Sequence, residues 1–383
     1  MERNIYVLSE IAGEYAHWSV MLLEAIRQRA AYKKYEVRMI GLAQLEKLPP
    51  SAGPVIAMNL SHSWGEVAME RLRALGMRGV VLSMLAPQPG EDMNIIALDQ
   101  RKAVVNAVKY FYSLGRRRIA FVANNPRSPN DQQKIIGMQE ACAECGLSFS
   151  DGDIFNYAGD LAECTDEFIA RCAPYDAVIC ANDVSAILLV KSQALARRKR
   201  IPEDLYLISF GNTLLARLIH PSITSLTLDY AEVGRIAVDN VIYMRKNPAI
   251  ASQQTLVRIQ MVLGETTAFR PFTPAAPPRP APAAPISLSY RNFYQDQTTR
   301  DVLRVEALLS RLDATDLSLL LLMLRGRKKA EILDALFISE STYKYRLRRL
   351  AQMTERRNKE EMLALIQEWV APEMLEKYLQ EQA

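Results

Sequence analysis

Between about residue 4 and residue 260, short apolar runs alternate with amphipathic stretches of helical period, and this alternation constrains the chain more than any other feature. The runs "NIYVLS", "YEVRMIGL", "GPVIAMNL", "RGVVLSML", "RIAFVAN", "DIFNYA", "DAVICAN" and "LYLISFG" read as strands. Helical stretches such as "HWSVMLLEAIRQRAAYKK", "WGEVAMERLRALG", "RKAVVNAVKYFYSLG" and "DQQKIIGMQEACAECG" lie between them, and "VSAILLVKSQALARR" reads as one helix. Strands that alternate with helices imply right-handed crossovers and mostly parallel sheets, an α/β class. So long a stretch exceeds what one such sheet needs, so two similar lobes are expected. Ligands of such folds sit at the carboxyl ends of strands, and a cleft between lobes suits a small molecule.

A second feature divides the chain. "PFTPAAPPRPAPAAP" (271–285) holds seven prolines in fifteen residues. Proline fixes φ and removes a backbone donor, so this run is neither a helix interior nor a central strand. It reads as an extended spacer. The expected organisation is a two-lobed domain over 1–270, a Pro-rich linker over 271–298 and a small all-α domain over 299–383. No apolar run approaches the ~20 residues that span a bilayer. The start, "MERNIYVLSE", lacks a secretory pattern, so a cytoplasmic chain without a membrane partner is expected. Five cysteines, an odd number, argue against a disulfide framework. Cys142 and Cys145 form a close pair inside a helical pattern with no second Cys/His pair at zinc spacing, so no metal and no cofactor is expected.

The residues of the large part resemble lactose-repressor-family sensors in four separated blocks. "IALDQRKAVVNAVKYFYSLGRRRIAFVAN" (96–124) resembles the segment that enters their second lobe. "YDAVICANDVSAILLVKSQALARRKRIPEDLYLISFGNT" (175–213) carries the Asn-Asp strand end and the "IPEDL" entry to the next strand. "HPSITSLTLDYAEVGRIAVDNVI" (220–242) resembles the return crossover, and "LGETTAF" (263–269) the closing strand. The resemblance covers roughly residues 3–270 and implies a two-lobed, periplasmic-binding-protein-like sensor that performs no catalysis. Two departures stand out. The family's DNA-binding helices precede the sensor, whereas here a sensor strand begins at Asn4. Between "YEVRMIGL" and "GPVIAMNL" only "AQLEKLPPSA" remains of the usual second helix.

By the same resemblance the pocket arginine falls on Lys134, which keeps the charge and loses the planar fork. The Asn-Asp pair falls on Asn182 and Asp183, with Asn182 the ligand contact. The pocket aspartate falls on Gly211, beside Asn212. Tyr15 and Trp18 in "EYAHWS" offer aromatic faces that stack on a sugar or base, although Trp18 in the lobe core is the plain alternative. Trp64 in "NLSHSWG" is a lesser candidate. No Gly-rich phosphate loop, Gly-x-Ser-x-Gly elbow or His-Glu-x-x-His pair occurs, and His220 before Pro221 reads as a turn residue, so an enzyme is not expected.

The small domain holds the strongest charge asymmetry. Arg325 to Lys359 carries eleven Lys/Arg against four Asp/Glu, a local balance of +7 that suits a polyanion. "DATDLSLLLLMLRG", "RKKAEILDALF", "ISESTYKYRLRRLAQM" and "NKEEMLALIQEWV" read as four helices, with Gly326 stopping the first and Ser339 capping the third. In the third helix Tyr343, Leu347 and Leu350 share an inner face, leaving Lys344, Tyr345, Arg348 and Arg349 outside. Leu324, Gly326, Ile332, Leu336, Ile338, Ser339, Thr342, Lys344 and Leu347 fit a pattern that resembles the LuxR-type helix-turn-helix. That resemblance implies base contacts from Lys344, Tyr345 and Arg348, and phosphate contacts from Ser339, Thr342 and arginines such as Arg349. The expectation is a ligand-responsive transcription regulator that binds double-stranded DNA as a homodimer and takes a sugar or related metabolite as effector. The alternative is a binding protein whose C-terminal helices engage a protein partner. The stretch "TRDVLRVEALLSRL" (299–312) either pairs protomers or packs on the reader.

Overall fold

The computed structural model of the chain describes residues 3–9, 17–48, 52–58, 62–82, 93–268, 297–356 and 358–382. The chain forms two compact units that are discontinuous in sequence. The first comprises Met1–Asn106, Pro126–Glu140 and Thr227–Gln260. The second comprises Ala107–Asn125, Ala141–Leu226 and Met261–Ala383, so it includes the C-terminal helices.

In chain order the first elements are β1 (Asn4–Ser9), α1 (His17–Tyr32), β2 (Glu36–Ile40) and a single turn, α2 (Leu42–Leu45). Next come β3 (Val55–Met58), α3 (His62–Ala74), β4 (Gly79–Leu82), β5 (Met93–Leu98) and α4 (Gln100–Ser113). The middle runs β6 (Ile119–Asn124), α5 (Pro129–Glu144), β7 (Ile154–Asn156), α6 (Leu161–Arg171), β8 (Ala177–Cys180), α7 (Asp183–Lys191) and α8 (Gln193–Ala196). It continues with β9 (Tyr206–Phe210), α9 (Leu214–Leu218), β10 (Thr224–Thr227), α10 (Tyr230–Lys246), β11 (Gln254–Val257) and β12 (Gln260–Val262).

The first sheet has the order β11-β5-β4-β3-β1-β2, and each of these neighbouring pairs is parallel. Its strands alternate faces, as a period of two requires. Ile5, Val7, Ile56 and Val80 face α1 and α10, whereas Tyr6, Leu8, Val55, Ala57 and Val81 face the cluster that holds Ala68, Met69 and Leu72 of α3. Trp64 packs, partly buried, against that second cluster, so it belongs to the core of its lobe. Helices α1 and α10 come into direct backbone contact because Gly234 has no side chain. A Cβ there would lie 2.6 Å from the Ala25 Cβ and 2.8 Å from the Ile26 nitrogen. Arg29 locks the pair by donating to both oxygens of Asp239, at 2.9 and 2.7 Å.

The second sheet has the order β12-β10-β9-β8-β6-β7, with parallel pairing from β10 through β7. Its inner strands are buried on both faces, which explains their unbroken apolar runs. Buried Arg116 stacks its guanidinium 3.7 Å from the Tyr206 ring centroid. Two sequence expectations are corrected in this region. "VSAILLVKSQALARR" is two helices, because the Ser192 hydroxyl accepts from Leu195 N and starts α8 anew. "LGETTAF" is no strand in its described part. Its threonines turn inward as a short 3-10 segment, with Thr266 Oγ1 accepting from Thr224 N at 2.9 Å and donating to Leu207 O at 2.7 Å. His220 pairs with Glu265 at 3.0 Å beside that segment.

The C-terminal helices are α11 (Gln297–Leu309), α12 (Ala314–Leu324), α13 (Lys329–Leu336), α14 (Glu340–Met353), α15 (Lys359–Trp369) and α16 (Pro372–Gln382). Sequence reading did not find α16, which packs on α12 and α9. Helix α11 buries Val302, Val305, Leu308 and Leu309 and lies against α6, α7 and α9 as well as α14 and α15. Its apolar face is therefore used within the chain. The Pro-rich run lies outside the described residues.

Gly234→Ala should destabilise the chain by about 1–2 kcal/mol, because overpacking at a backbone contact outweighs the helix propensity that alanine adds. Urea denaturation of the full chain measures this, and a stabilised variant would contradict the close packing of α1 on α10.

Candidate functional site

Two groups of residues carry chemistry, both in the second unit. The first is the carboxyl edge of its parallel sheet. Parallel strands all end on one side, so Asn124 (the end of β6), Asn156 (the end of β7), Asn182 (after β8) and Asn212 (after β9) fall along one edge. Asn124 Nδ2 donates to Asn156 Oδ1 at 2.6 Å, and the Asn124 Oδ1 is buried without a hydrogen-bond partner among the described residues. Asn212 sits in the left-handed region at φ 60°, and its Oδ1 is likewise buried and unpartnered. Amides both donate and accept and carry no charge, so such an edge suits neutral groups such as hydroxyls. Sequence reasoning reached Asn182 and Asn212 and missed Asn124 and Asn156. Asn124 at the end of "RIAFVAN" and Asn156 inside "DIFNYA" were the available signal.

Behind this edge lies Asp183, which is 2% exposed. Its carboxylate accepts from the Ser209 hydroxyl, from Thr213 N at 2.7 Å and from Ser225 Oγ at 3.1 Å. Burial raises its pKa, and the donors from Ser209, Thr213 and Ser225 oppose that rise. Gly211 follows from the same geometry. At φ 140° a Cβ there would lie 2.7 Å from Asp183 Oδ2, so a second carboxylate at position 211 has no room. Asn182 begins α7 by accepting from Ser185 N at 3.0 Å, so its Oδ1 already serves as a cap.

The other expected ligand residues fare differently. Lys134 belongs to the first unit, is 5% exposed and holds its ammonium 2.9 Å from Asp131 Oδ1, one turn earlier. Tyr15 and the side chain of Trp18 lie outside the described residues. Among the described residues no three His, Cys, Asp or Glu gather as a metal site. Burial pushes the thiols of Cys142 and Cys164 up to about 12, so neither is ionised at neutral pH.

The second group is the surface of α14. Ser339 caps it, accepting from Thr342 N at 3.1 Å, and its hydroxyl meets those of Ser341 and Thr342 at 2.8 Å. Tyr343 and Leu350 are buried and face the other helices, whereas Lys344, Tyr345 and Arg348 are exposed. Arg349 departs from expectation. It is only partly exposed, lies 3.3 Å from Asp316 Oδ2 and donates to Arg311 O. Arg346 turns the same way, 2.5 Å from Asp316 and 2.9 Å from Asp313. Asp316 is wholly buried, so these arginines neutralise a charge that would otherwise be stranded. In the turn before α14, Phe337 closes α13 at φ 52° and is 96% exposed. Sequence reading did not single it out.

Residues 108–267 match the periplasmic binding protein-like domain. Over that stretch the chain is similar to a periplasmic binding protein-like domain. Among curated relatives, the chain is 26% identical over 188 residues to the HTH-type transcriptional repressor CytR of Escherichia coli K12, which covers 48% of this chain and 54% of the relative. It is 27% identical over 179 residues to catabolite control protein A of Priestia megaterium, covering 45% and 54%. The chain thus spans about half the length of the curated relatives it matches. Among solved structures, a transcriptional regulator CelR–cellobiose complex superposes with a TM-score of 0.61 at 15% identity, over 69% of this chain and 84% of that one. A LacI family regulator from Enterococcus faecium with bound ribose gives 0.55 at 18%, over 70% and 100%. These structures share the fold. The matched domain ends before α11, so it does not include the C-terminal helices.

Glu340, at the start of α14, accepts from Lys329 at 2.6 Å and Lys344 at 2.8 Å, and these ammonium groups hold its carboxyl near about 2. A carboxylate depressed on folding contributes above its ordinary range and loses that contribution as pH falls toward the folded value. A carboxyl NMR titration should place Glu340 near about 2, with Lys344→Ala moving the midpoint up. An unshifted midpoint in that variant would break the assigned pairing.

Proposed function

We propose that this chain is a ligand-responsive DNA-binding transcription regulator. The two-lobed part over 1–270 takes an effector, the Pro-rich run over 271–298 links it, and residues 299–383 read DNA through a LuxR-type helix-turn-helix. The observation that carries this reading is the two-sided division of α14. Its capped N-terminus follows a three-residue turn, its apolar face is buried, and its outer face presents Lys344, Tyr345 and Arg348. A helix presented in this way suits the major groove, where Lys and Arg donate to guanine edges and phosphates. Ser339 and Thr342, with hydroxyls at the helix start, hold the backbone. The relatives described as transcriptional repressors support the regulatory role, and the cellobiose and ribose complexes support a sugar or related metabolite as effector. The amide edge of Asn124, Asn156, Asn182 and Asn212 supplies neutral donors and acceptors for such a ligand, and effector occupancy shifts the population of DNA-competent states. A homodimer follows, because one module makes few base contacts and paired half-sites need two. The chain acts in the cytoplasm.

A second reading has an observation of its own. Phe337 and Tyr345, 96% and 68% exposed, give this surface an aromatic character that also suits a protein partner. The two readings separate by salt. Duplex binding measured by fluorescence anisotropy should weaken steeply as salt rises. Lys344→Ala with Arg348→Ala should lower affinity and reduce the log–log salt slope by about 1 for each phosphate contact removed. Unchanged affinity and slope would remove α14 from the interface.

A further inference from the structure

Helix α9 is a five-residue helix at the junction of two systems. A helix this short is unstable by itself, so its first turn depends on outside acceptors. Thr213 caps it, with Oγ1 accepting from Ala216 N at 3.3 Å. The two donors ahead of that are taken by a residue from a distant helix. Glu306 of α11 accepts from Leu214 N at 3.1 Å and from Leu215 N at 2.7 Å. Glu306 is 2% exposed, so a carboxylate has been withdrawn from water to hold this turn.

The residues just before α9 are the loop Gly211–Asn212–Thr213, at the carboxyl edge of the second sheet. Asp183 holds that loop through Thr213 N, and Asn212 has its buried Oδ1 there without a hydrogen-bond partner among the described residues. On its other side α11 continues into the C-terminal helices. Asp301 accepts from Arg356 at 3.1 Å and Arg304 donates to Glu355 at 2.5 Å, both just beyond the end of α14. Helix α11 thus touches the first turn of α9, which directly follows that loop, and the residues just beyond the helix that would read DNA. A second tie joins α9 to α16, where the Arg217 guanidinium lies 5.7 Å from the Tyr378 ring centroid.

We propose that Glu306 is the positioning residue through which the state of the Gly211–Thr213 loop reaches α14. The inference rests on the DNA-binding reading above and adds its route of regulation. Coupling between sites is reciprocal, so a ligand at one end must alter the other, and the effect can be read without knowing the effector. The probe is a mixed-sequence DNA duplex at low salt, where phosphate contacts alone give binding. Hydrogen exchange of the full chain, with and without duplex, follows the amides of residues 211–218.

In the wild type, duplex should slow exchange at Leu214 and Leu215 by at least about fivefold, the lower end of couplings between sites. Glu306→Gln keeps the shape and removes the charge; it should bind duplex with wild-type affinity and lose this slowing. Glu306→Asp keeps the charge and shortens the reach by one methylene. It covers the case in which the first variant does not fold, and it should bind duplex with a weaker slowing than wild type. Arg217→Ala, at an exposed position, should retain the full slowing, because it breaks only the tie to α16. Duplex binding without any slowing in the wild type, or wild-type slowing in both Glu306 variants, overturns the inference and leaves the DNA reading standing. A wild-type chain that binds no duplex overturns the DNA reading, and the inference with it.

Discussion

The buried carboxylate of Asp183 holds the edge of the second sheet in place. Withdrawn from water, it is tolerable only with donors, and it takes them from three elements: Ser209 of β9, Ser225 of β10 and the backbone of Thr213 before α9. Those bonds decide where the chain leaves β9. They also decide what stands at position 211, since any side chain there would meet the same carboxylate. Asn212, left-handed and beside it, inherits its orientation from this knot. The polar surface of the edge is therefore set from below, by a charge that never reaches the surface.

Glu306 repeats the device from the opposite side. Two buried carboxylates bracket one loop and one short helix, the first from the same lobe and the second from the C-terminal helices. Each satisfies backbone donors that have no partner in α9 itself. The consequence is architectural. A proline-rich run suggests a separately tethered module, yet the helices after it share a compact unit with the second lobe. Their apolar packing and one buried glutamate hold them there.

Much of the first 260 residues was legible in the sequence, because strand and helix periodicities are local and strong. The one-turn α2 appears where "AQLEKLPPSA" left too little chain for a full helix, and Ser339 caps α14 as its spacing with the following apolar residues suggests. The losses share a physical cause. In "TRDVLRVEALL" Glu306 reads as an ordinary outward charge, and its burial depends on backbone donors about 92 residues away in sequence. Asn124 and Asn156 look like strand-ending amides until the sheet order brings β6 beside β7. Lys134 keeps the charge of the expected contact and is held by Asp131, one turn back on the same helix. Helix α16 lies past the end of the helix-turn-helix pattern, so the motif did not point to it.

The same cause explains why the charge of the C-terminal helices misleads when counted. A balance of +7 over Arg325–Lys359 treats every cation as equivalent. In the fold, Arg346 and Arg349 turn inward to Asp313 and Asp316, and Lys329 and Lys344 share Glu340. The inward pair cannot leave without stranding the buried Asp316 carboxylate, so it stabilises the bundle. The pair on Glu340 is exposed, so its ion pairs are weak and exchange readily for phosphate. Arg348, exposed and without an ion-pair partner among the described residues, is a cation on α14 that needs no rearrangement to meet a ligand. What reads in the sequence as one basic patch is thus cations in different states, some held inward by Asp313 and Asp316, some shared on Glu340 and some free among the described residues.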